Sequence, residues 1–231
     1  MNYNYKLLPA EVVGAYNKII IDARLDDGQV VAAFCGAPDI AGMCSPGTRL
    51  WLKRTSRTKR LVKYNISFVE TPEGMVFANP RYNRRLFQEA FDKGILTDFG
   101  EYSQCRLLGT SDNVNGLDFE LTGDGGKKGF VFVLPVYNKK DGFAVFPNSV
   151  NFFEVKMIEE MQRRRQAGAE TYVFMIAPRE DCAAAKFIWN ADARGAAILF
   201  EAAKNGLNFL CYGCKTAKNR IEINRKLDIA Y

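Results

Sequence analysis

Three observations predict an α+β chain of two domains, a small β-barrel followed by an α/β layer. Residues 6–80 read as short strands separated by turn-forming clusters, with little helix between them. After Asn79-Pro80 the pattern changes to helices alternating with strands, as an α/β layer requires. At 231 residues the chain is long enough to bury two compact cores. The division is expected at residue 82, giving domains 1–82 and 83–231.

In the first domain, strands are expected at residues 18–25, 30–35, 49–53, 61–69 and 75–78. Asp26-Asp27-Gly28, Ser45-Pro46-Gly47 and Thr71-Pro72-Glu73-Gly74 supply turn chemistry, with Gly for left-handed backbone and Pro for a fixed φ. Five short strands with little helix point to a barrel, and the oligonucleotide-binding type is the natural candidate. The residue before a proline avoids helix, which makes Asn79-Pro80 a breakpoint. In the second domain a helix is expected over 83–93, with Leu86 and Ala90 inward and Gly94 ending it. Strands follow at 105–108, 117–121 and 130–136, then a helix over 149–166 stopped by Gly168. A strand at 171–177, a helix over 192–204 capped by Gly206, and strands at 207–212 and 220–223 complete the layer.

Apolar residues make up 48% and charged residues 25%, which is globular rather than disordered composition. The longest apolar runs, such as 172–178, have core-strand length and fall far short of the roughly 18–20 residues of a membrane span. Residues 1–5 show no cationic segment leading into an apolar one, so no secretory signal is read and the cytoplasm is the expected location. The chain has no histidine, which excludes Ser-His and Cys-His dyads and His-ligated zinc. Six cysteines, at 35, 44, 105, 182, 211 and 214, are read as free thiols. Cys211-Tyr212-Gly213-Cys214 has the spacing of a redox or zinc motif, but a second pair for zinc is missing and the motif follows a strand. With 32 Lys+Arg against 26 Asp+Glu, the net charge of +6 is compatible with a polyanionic partner without requiring one.

Leu117-Asp118-Phe119-Glu120-Leu121 alternates apolar and acidic, as a half-buried strand does. A Gly/Lys turn follows, then the uncharged run Phe130-Val131-Phe132-Val133-Leu134-Pro135-Val136, then Phe146-Pro147-Asn148 and a helix. This order resembles the sugar fermentation stimulation protein family. Further matches are Tyr16-Asn17-Lys18, Ile21 to Leu25, Gly42, Cys44, Pro46-Gly47, Leu50-Trp51-Leu52, Lys59-Arg60, Asn79, Asn83, Glu89-Ala90 and Gly206 to Tyr212. Where relatives carry His-Cys-Pro-Asn-Thr-Gly, this chain has Phe34-Cys35-Gly36-Ala37-Pro38-Asp39, so Cys35 alone matches. The resemblance implies a C-terminal core of restriction-endonuclease type and an association with DNA. It also implies an Asp on one strand, Glu-Val-Lys on the next, and a Phe-Pro-Asp opening a helix. Counted back from Phe146, the family's Glu falls on Phe132 and its Lys on Leu134, while Asp118 remains.

Such nucleases hold Mg²⁺ with two or more carboxylates, because an ion that keeps its water tightly is bound weakly by one. Phe132 and Leu134 bind no metal and move no proton, so no cofactor and no metal are expected. Glu120 shares a face with Asp118, Glu89 lies on the preceding helix, and Lys156 matches a family Lys on the following one. These four residues form the competing reading, a residual Mg²⁺-dependent nuclease. Against it, the Asp of Phe-Pro-Asp is Asn148 and a family Arg is Phe153, and the Glu-x-Lys of residues 154–156 falls in helical register.

Lys53, Arg54, Arg57, Lys59, Arg60 and Lys63 crowd one loop of the barrel, with Thr and Ser between them and no acid. Arg81, Arg84 and Arg85 follow around Tyr82, a candidate stacking platform. A cationic loop of this kind suits backbone-tracking contacts to phosphates. The Arg163-Arg164-Arg165 triplet is ascribed to the helix dipole. The favoured reading is a non-enzymatic, sequence-tolerant nucleic-acid binder, with DNA the first partner and RNA the second. A third reading is a scaffold whose apolar former site receives a protein or small ligand.

Overall fold

A computed structural model of the chain describes residues 1–2, 5–17, 19–56, 61–109, 117–147, 152–188 and 193–230. Its contacts form two compact units. The first comprises Met1–Tyr82 with Pro178–Asp181 and Cys214–Glu222, and the second the remainder. The first unit thus takes in two later stretches that a single division after residue 82 assigns to the other domain.

The first unit contains strands β1 (Leu7–Ala15), β2 (Ile20–Leu25), β3 (Val30–Phe34), β4 (Arg49–Arg54), β5 (Tyr64–Thr71) and β6 (Gly74–Phe77). The short helix α1 (Pro38–Ala41) joins β3 to β4. Antiparallel pairs β1–β2, β2–β3, β1–β4 and β4–β5, with a parallel β3–β5 contact at Ala33↔Tyr64 and Phe34↔Asn65, close a ring of five strands. That ring is the barrel of oligonucleotide-binding type. Alternate residues point inward: Ala10 and Val12, Ile21 and Ala23, Leu50 and Leu52, Ile66 and Phe68 are all buried. The alanines among them leave room for so small a barrel to close.

The ring differs from the expected one in its members. Leu7–Ala15 supplies the first strand, and the expected strand at 75–78, seen as Gly74–Phe77, lies outside the ring as a hairpin partner of β5. Pro9 and Gly14 break the alternation that marks a strand in sequence, and β1 carries a bulge between Val12 and Gly14.

The second unit is built on the six-stranded sheet β15-β14-β12-β9-β8-β7. Its strands are β7 (Tyr102–Leu107), β8 (Phe119–Gly123), β9 (Lys128–Pro135), β12 (Glu170–Ala177), β14 (Asn208–Ala217) and β15 (Arg220–Leu227), the last two running on into the first unit. β9, β12 and β14 are parallel, and β7 and β8 complete an antiparallel meander at one edge. A second, small sheet joins β10 (Lys139–Lys140), β11 (Phe143–Phe146), β13 (Ala184–Phe187) and β16 (Ile229–Ala230). Strands this short leave too little periodicity to be read from sequence.

Helices cover both faces of the large sheet. From α2 (Asn83–Asp92), Phe87 enters an aromatic cluster with Phe99, Phe119 and Phe174, at centroid distances of 5.6, 4.8 and 4.8 Å. On the other face, Met157, Ile158 and Met161 of α3 (Phe152–Gln166) pack with Val173, Met175 and Ala177, joined by Leu199 and Ala202 of α4 (Ala193–Lys204). Among the described residues no helix is long and apolar enough to cross a membrane.

Candidate functional site

In the second unit, the site implied by the nuclease resemblance starts one residue before β8. The Asp118 N–H donates to the Val131 carbonyl at 3.0 Å, and the Asp118 carbonyl accepts from the Leu108 N–H at 2.9 Å. Past Val131, β9 has no further β8 backbone beside it, and Oδ2 of Asp118 accepts the Val133 N–H at 2.7 Å. Oδ1 accepts from Arg84 Nε of α2. The carboxylate is 4% exposed and the Arg84 side chain 56%. Burial pushes the Asp118 carboxyl above its ordinary 3.8, against the Val133 N–H and the Arg84 guanidinium, which favour the charged form. Each oxygen thus accepts one hydrogen bond from within the protein.

The other members of the acidic set are held separately. Glu120, opposite Phe130 in the ladder, grips Arg106 at 2.5 Å and Lys128 at 2.8 Å, and the bonds from Lys128 and Arg106 hold its carboxyl below the usual range. Glu89 pairs with Lys93 one helical turn on. Lys156 is exposed on α3. The register Phe119↔Val131 sets Phe132 opposite Asp118. Phe132 and Leu134 are half-buried against the α3-side core that holds Met157 and Met161. Among the described residues no three Asp, Glu or Cys side chains gather as a metal site requires. Asn148 lies outside the described residues.

The arginine triplet has a more specific explanation than the helix dipole. Glu160 is 4% exposed and is clasped by Arg163 at 2.6 Å and Arg164 at 2.7 Å, while Arg165 pairs with Glu170 at 3.1 Å. The Arg164 guanidinium also lies 4.0 Å from the Phe130 ring centroid, capping the core.

The first unit holds the more open arrangement. The ends of β3 and β4 and the start of β5 meet where Phe34 and Lys53 both oppose Asn65. The Thr55 N–H donates to the Lys63 carbonyl at 2.7 Å, closing the base of the cationic β4–β5 loop. Beside it opens a cleft of 510 Å³. Lys53, Arg54 and Arg81 give it positive charge, and Tyr5, Phe34 and Tyr82 give it aromatic walls. The Lys53 ammonium sits 2.9 Å from the Tyr5 ring centroid, and Tyr82 is braced edge-on against Phe77 at 5.9 Å. Gly36 is required at the rim, because a Cβ there would meet Pro80 Cδ at 2.7 Å.

Of the nine cations expected to contact nucleic acid, Lys53, Arg54 and Arg81 line this cleft and Lys63 stands exposed at the loop base. Arg57, Lys59 and Arg60 lie outside the described residues. Arg84 and Arg85 belong to the second unit, where Arg84 serves Asp118 and Arg85 is exposed. Sequence reasoning missed Tyr5 and Phe34: Tyr5 precedes the unread strand β1, and Phe34 reads as an ordinary strand residue. Tyr82, flanked by Arg81 and Arg84, carried the visible signal.

A closed five-stranded barrel of oligonucleotide-binding topology and an α/β core of restriction-endonuclease type define a two-domain α+β protein. The chain belongs to the sugar fermentation stimulation protein family. The family model described as "Sugar fermentation stimulation protein RE domain" matches residues 81–220. A sugar fermentation stimulation protein homolog of Paramagnetospirillum magneticum is 27% identical over 228 residues, 98% of this chain and 97% of that one. The homolog of Maricaulis maris is 27% identical over 231 residues, 99% and 98% of the two chains. The fold is also that of Pyrococcus furiosus SfsA, solved in complex with Ca²⁺, with a TM-score of 0.84 and 16% identity over 100% of both chains.

Proposed function

We propose that this chain binds nucleic acid without regard to sequence, DNA first and RNA second, through the β4–β5 loop and adjoining cleft of its barrel, and that it does not hydrolyse what it binds. One observation carries the reading: Lys53, Arg54 and Arg81 surround a cleft walled by Tyr5, Phe34 and Tyr82. Cations tracking phosphates and aromatic faces receiving bases are the two components of sequence-tolerant binding. In barrels of this type the β4–β5 loop is a habitual ligand contact.

The absence of cleavage is supported by what surrounds Asp118. The Pyrococcus relative was solved with Ca²⁺. For this chain to hold a divalent ion at Asp118, the ion would compete with the Arg84 guanidinium for a buried carboxylate and would need a second carboxylate, where Phe132 and Leu134 offer hydrocarbon. The described residues around Asp118 do not fit the ion.

The test is fluorescence anisotropy of labelled DNA and RNA oligonucleotides at low salt, followed by gel analysis after incubation with Mg²⁺ or Mn²⁺. Saturable, salt-sensitive binding with intact oligonucleotides is expected. No binding at low salt, or metal-dependent cleavage that disappears in Asp118→Ala, would overturn the proposal.

A further inference from the structure

We infer that the barrel cleft receives one unpaired nucleotide, so that the protein prefers single strands to duplexes. This rests on the nucleic-acid reading and names the form of the ligand.

At 510 Å³ the cleft falls within the roughly 300–1,000 Å³ of sites that enclose small organic ligands. A nucleotide fits such a volume; a paired and stacked duplex does not. Tyr5, Phe34 and Tyr82 line the cleft. A ring recognises the face of a base, and in a duplex every internal face is covered by its neighbours. Only a strand with unstacked bases can offer one.

Charge and polar groups complete the fit. Arg54 and Arg81 are exposed at the cleft, positioned for the phosphates on either side of an inserted base, and Lys53 lies against Tyr5. Asn65 is half-buried where β3, β4 and β5 meet, and Asn79 accepts the Arg81 N–H at 3.3 Å through its Oδ1. The Asn65 amide presents both donor and acceptor, which suits the edges of different bases and agrees with tolerance of sequence.

The experiment compares a 15-nucleotide single strand with a duplex of the same length by anisotropy at one salt concentration. The single strand carries 2-aminopurine, whose fluorescence falls when the base stacks on an aromatic ring. The single strand is expected to bind about tenfold more tightly or better, with quenching at saturation. Tyr82→Leu, which keeps an apolar contact to Phe77, is expected to lose about tenfold in single-strand affinity, while Tyr82→Phe retains both affinity and quenching. Duplex binding as tight as single-strand binding, or a bound strand without quenching, would overturn the inference while leaving nucleic-acid binding intact. Unaltered single-strand binding by folded Tyr82→Leu would also overturn it. So would complete displacement of the strand by dTMP at equal concentration, which would make the cleft a site for free nucleotides. If neither strand nor duplex binds at low salt, the underlying reading fails first.

Discussion

Breaking the Arg84–Asp118 pair from its two ends is expected to give effects of opposite weight. Arg84→Ala leaves a carboxylate 4% exposed with the Val133 N–H at 2.7 Å as its remaining described partner. Orphaning a buried charge costs about 3–5 kcal/mol when both partners are enclosed. Here the Arg84 side chain is 56% exposed, so water replaces part of what it supplied, and about 2 kcal/mol is expected. For the second unit that corresponds to a melting temperature lower by about 4–8 °C. Asp118→Asn removes the charge itself and keeps an oxygen for Val133, so its stability at pH 7 is expected within about 1 kcal/mol of the natural protein. The double variant is expected to recover most of the Arg84→Ala loss, since the two residues share one interaction. The pH dependence follows from the raised Asp118 carboxyl. A native state that holds the proton more tightly than the unfolded chain gains stability that is full below the ordinary 3.8 and is lost as pH rises through the folded value. The natural protein is therefore expected to gain on Asp118→Asn as pH falls from 7 towards 4. Thermal unfolding of the four proteins at pH 7 and pH 4.5 is the assay. If Asp118→Asn is more damaging than Arg84→Ala at pH 7, or the two losses simply add, the assignment of Asp118 as a buried strand-end partner is refuted.

Three further outcomes are expected. Phe132→Glu with Leu134→Lys should lower the melting temperature by several degrees and confer no Mg²⁺- or Mn²⁺-dependent cleavage, because both positions pack against the α3-side core; a stable, cleaving double variant would contradict this. Gly123→Ala should cost about 1–3 kcal/mol in urea unfolding, since a Cβ there would collide with the Glu101 backbone carbonyl oxygen, and an unchanged midpoint would show that the turn yields. Burial pushes the Cys44 and Cys105 thiols up to about 12 and raises Cys35 and Cys211 as well. A thiol-specific reagent at pH 8 should therefore label the folded protein slowly, at half-buried Cys105 first, and all cysteines only on unfolding.

The β-barrel was legible because Gly- and Pro-bearing turns punctuate it, and the count of five strands was right although the membership was not. β1 hid behind Pro9 and Gly14, which in sequence argue against a strand and in the fold sit at its start and at a bulge. That Phe132 and Leu134 stand where the family resemblance implies Glu and Lys is legible in the sequence, because the count back from Phe146 is local. The fate of Asp118 is not. Its capture by Arg84, 34 residues away, and by a backbone N–H of the next strand depends on where β8 stops pairing with β9. The pairing of Arg84 with Asp118 is illegible for the same reason, since a cation's partner in space leaves no local mark. The cleft assembles from β3, β4, β5 and the Ala78–Tyr82 segment, and only the closing β3–β5 contact brings Phe34 beside Asn65.

Nucleic-acid binding through the cationic β4–β5 loop is tested most directly by the salt dependence of affinity in Arg57→Ala/Lys59→Ala/Arg60→Ala beside the natural protein. Each phosphate contact contributes a slope of about 0.7 in log K against log salt for single strands and about 0.9 for duplex DNA. Losing three contacts should flatten the single-strand slope by about two, weaken all sequences alike, and leave the melting temperature unchanged. A triple variant that binds as tightly as the natural protein, with the same slope, would contradict the account.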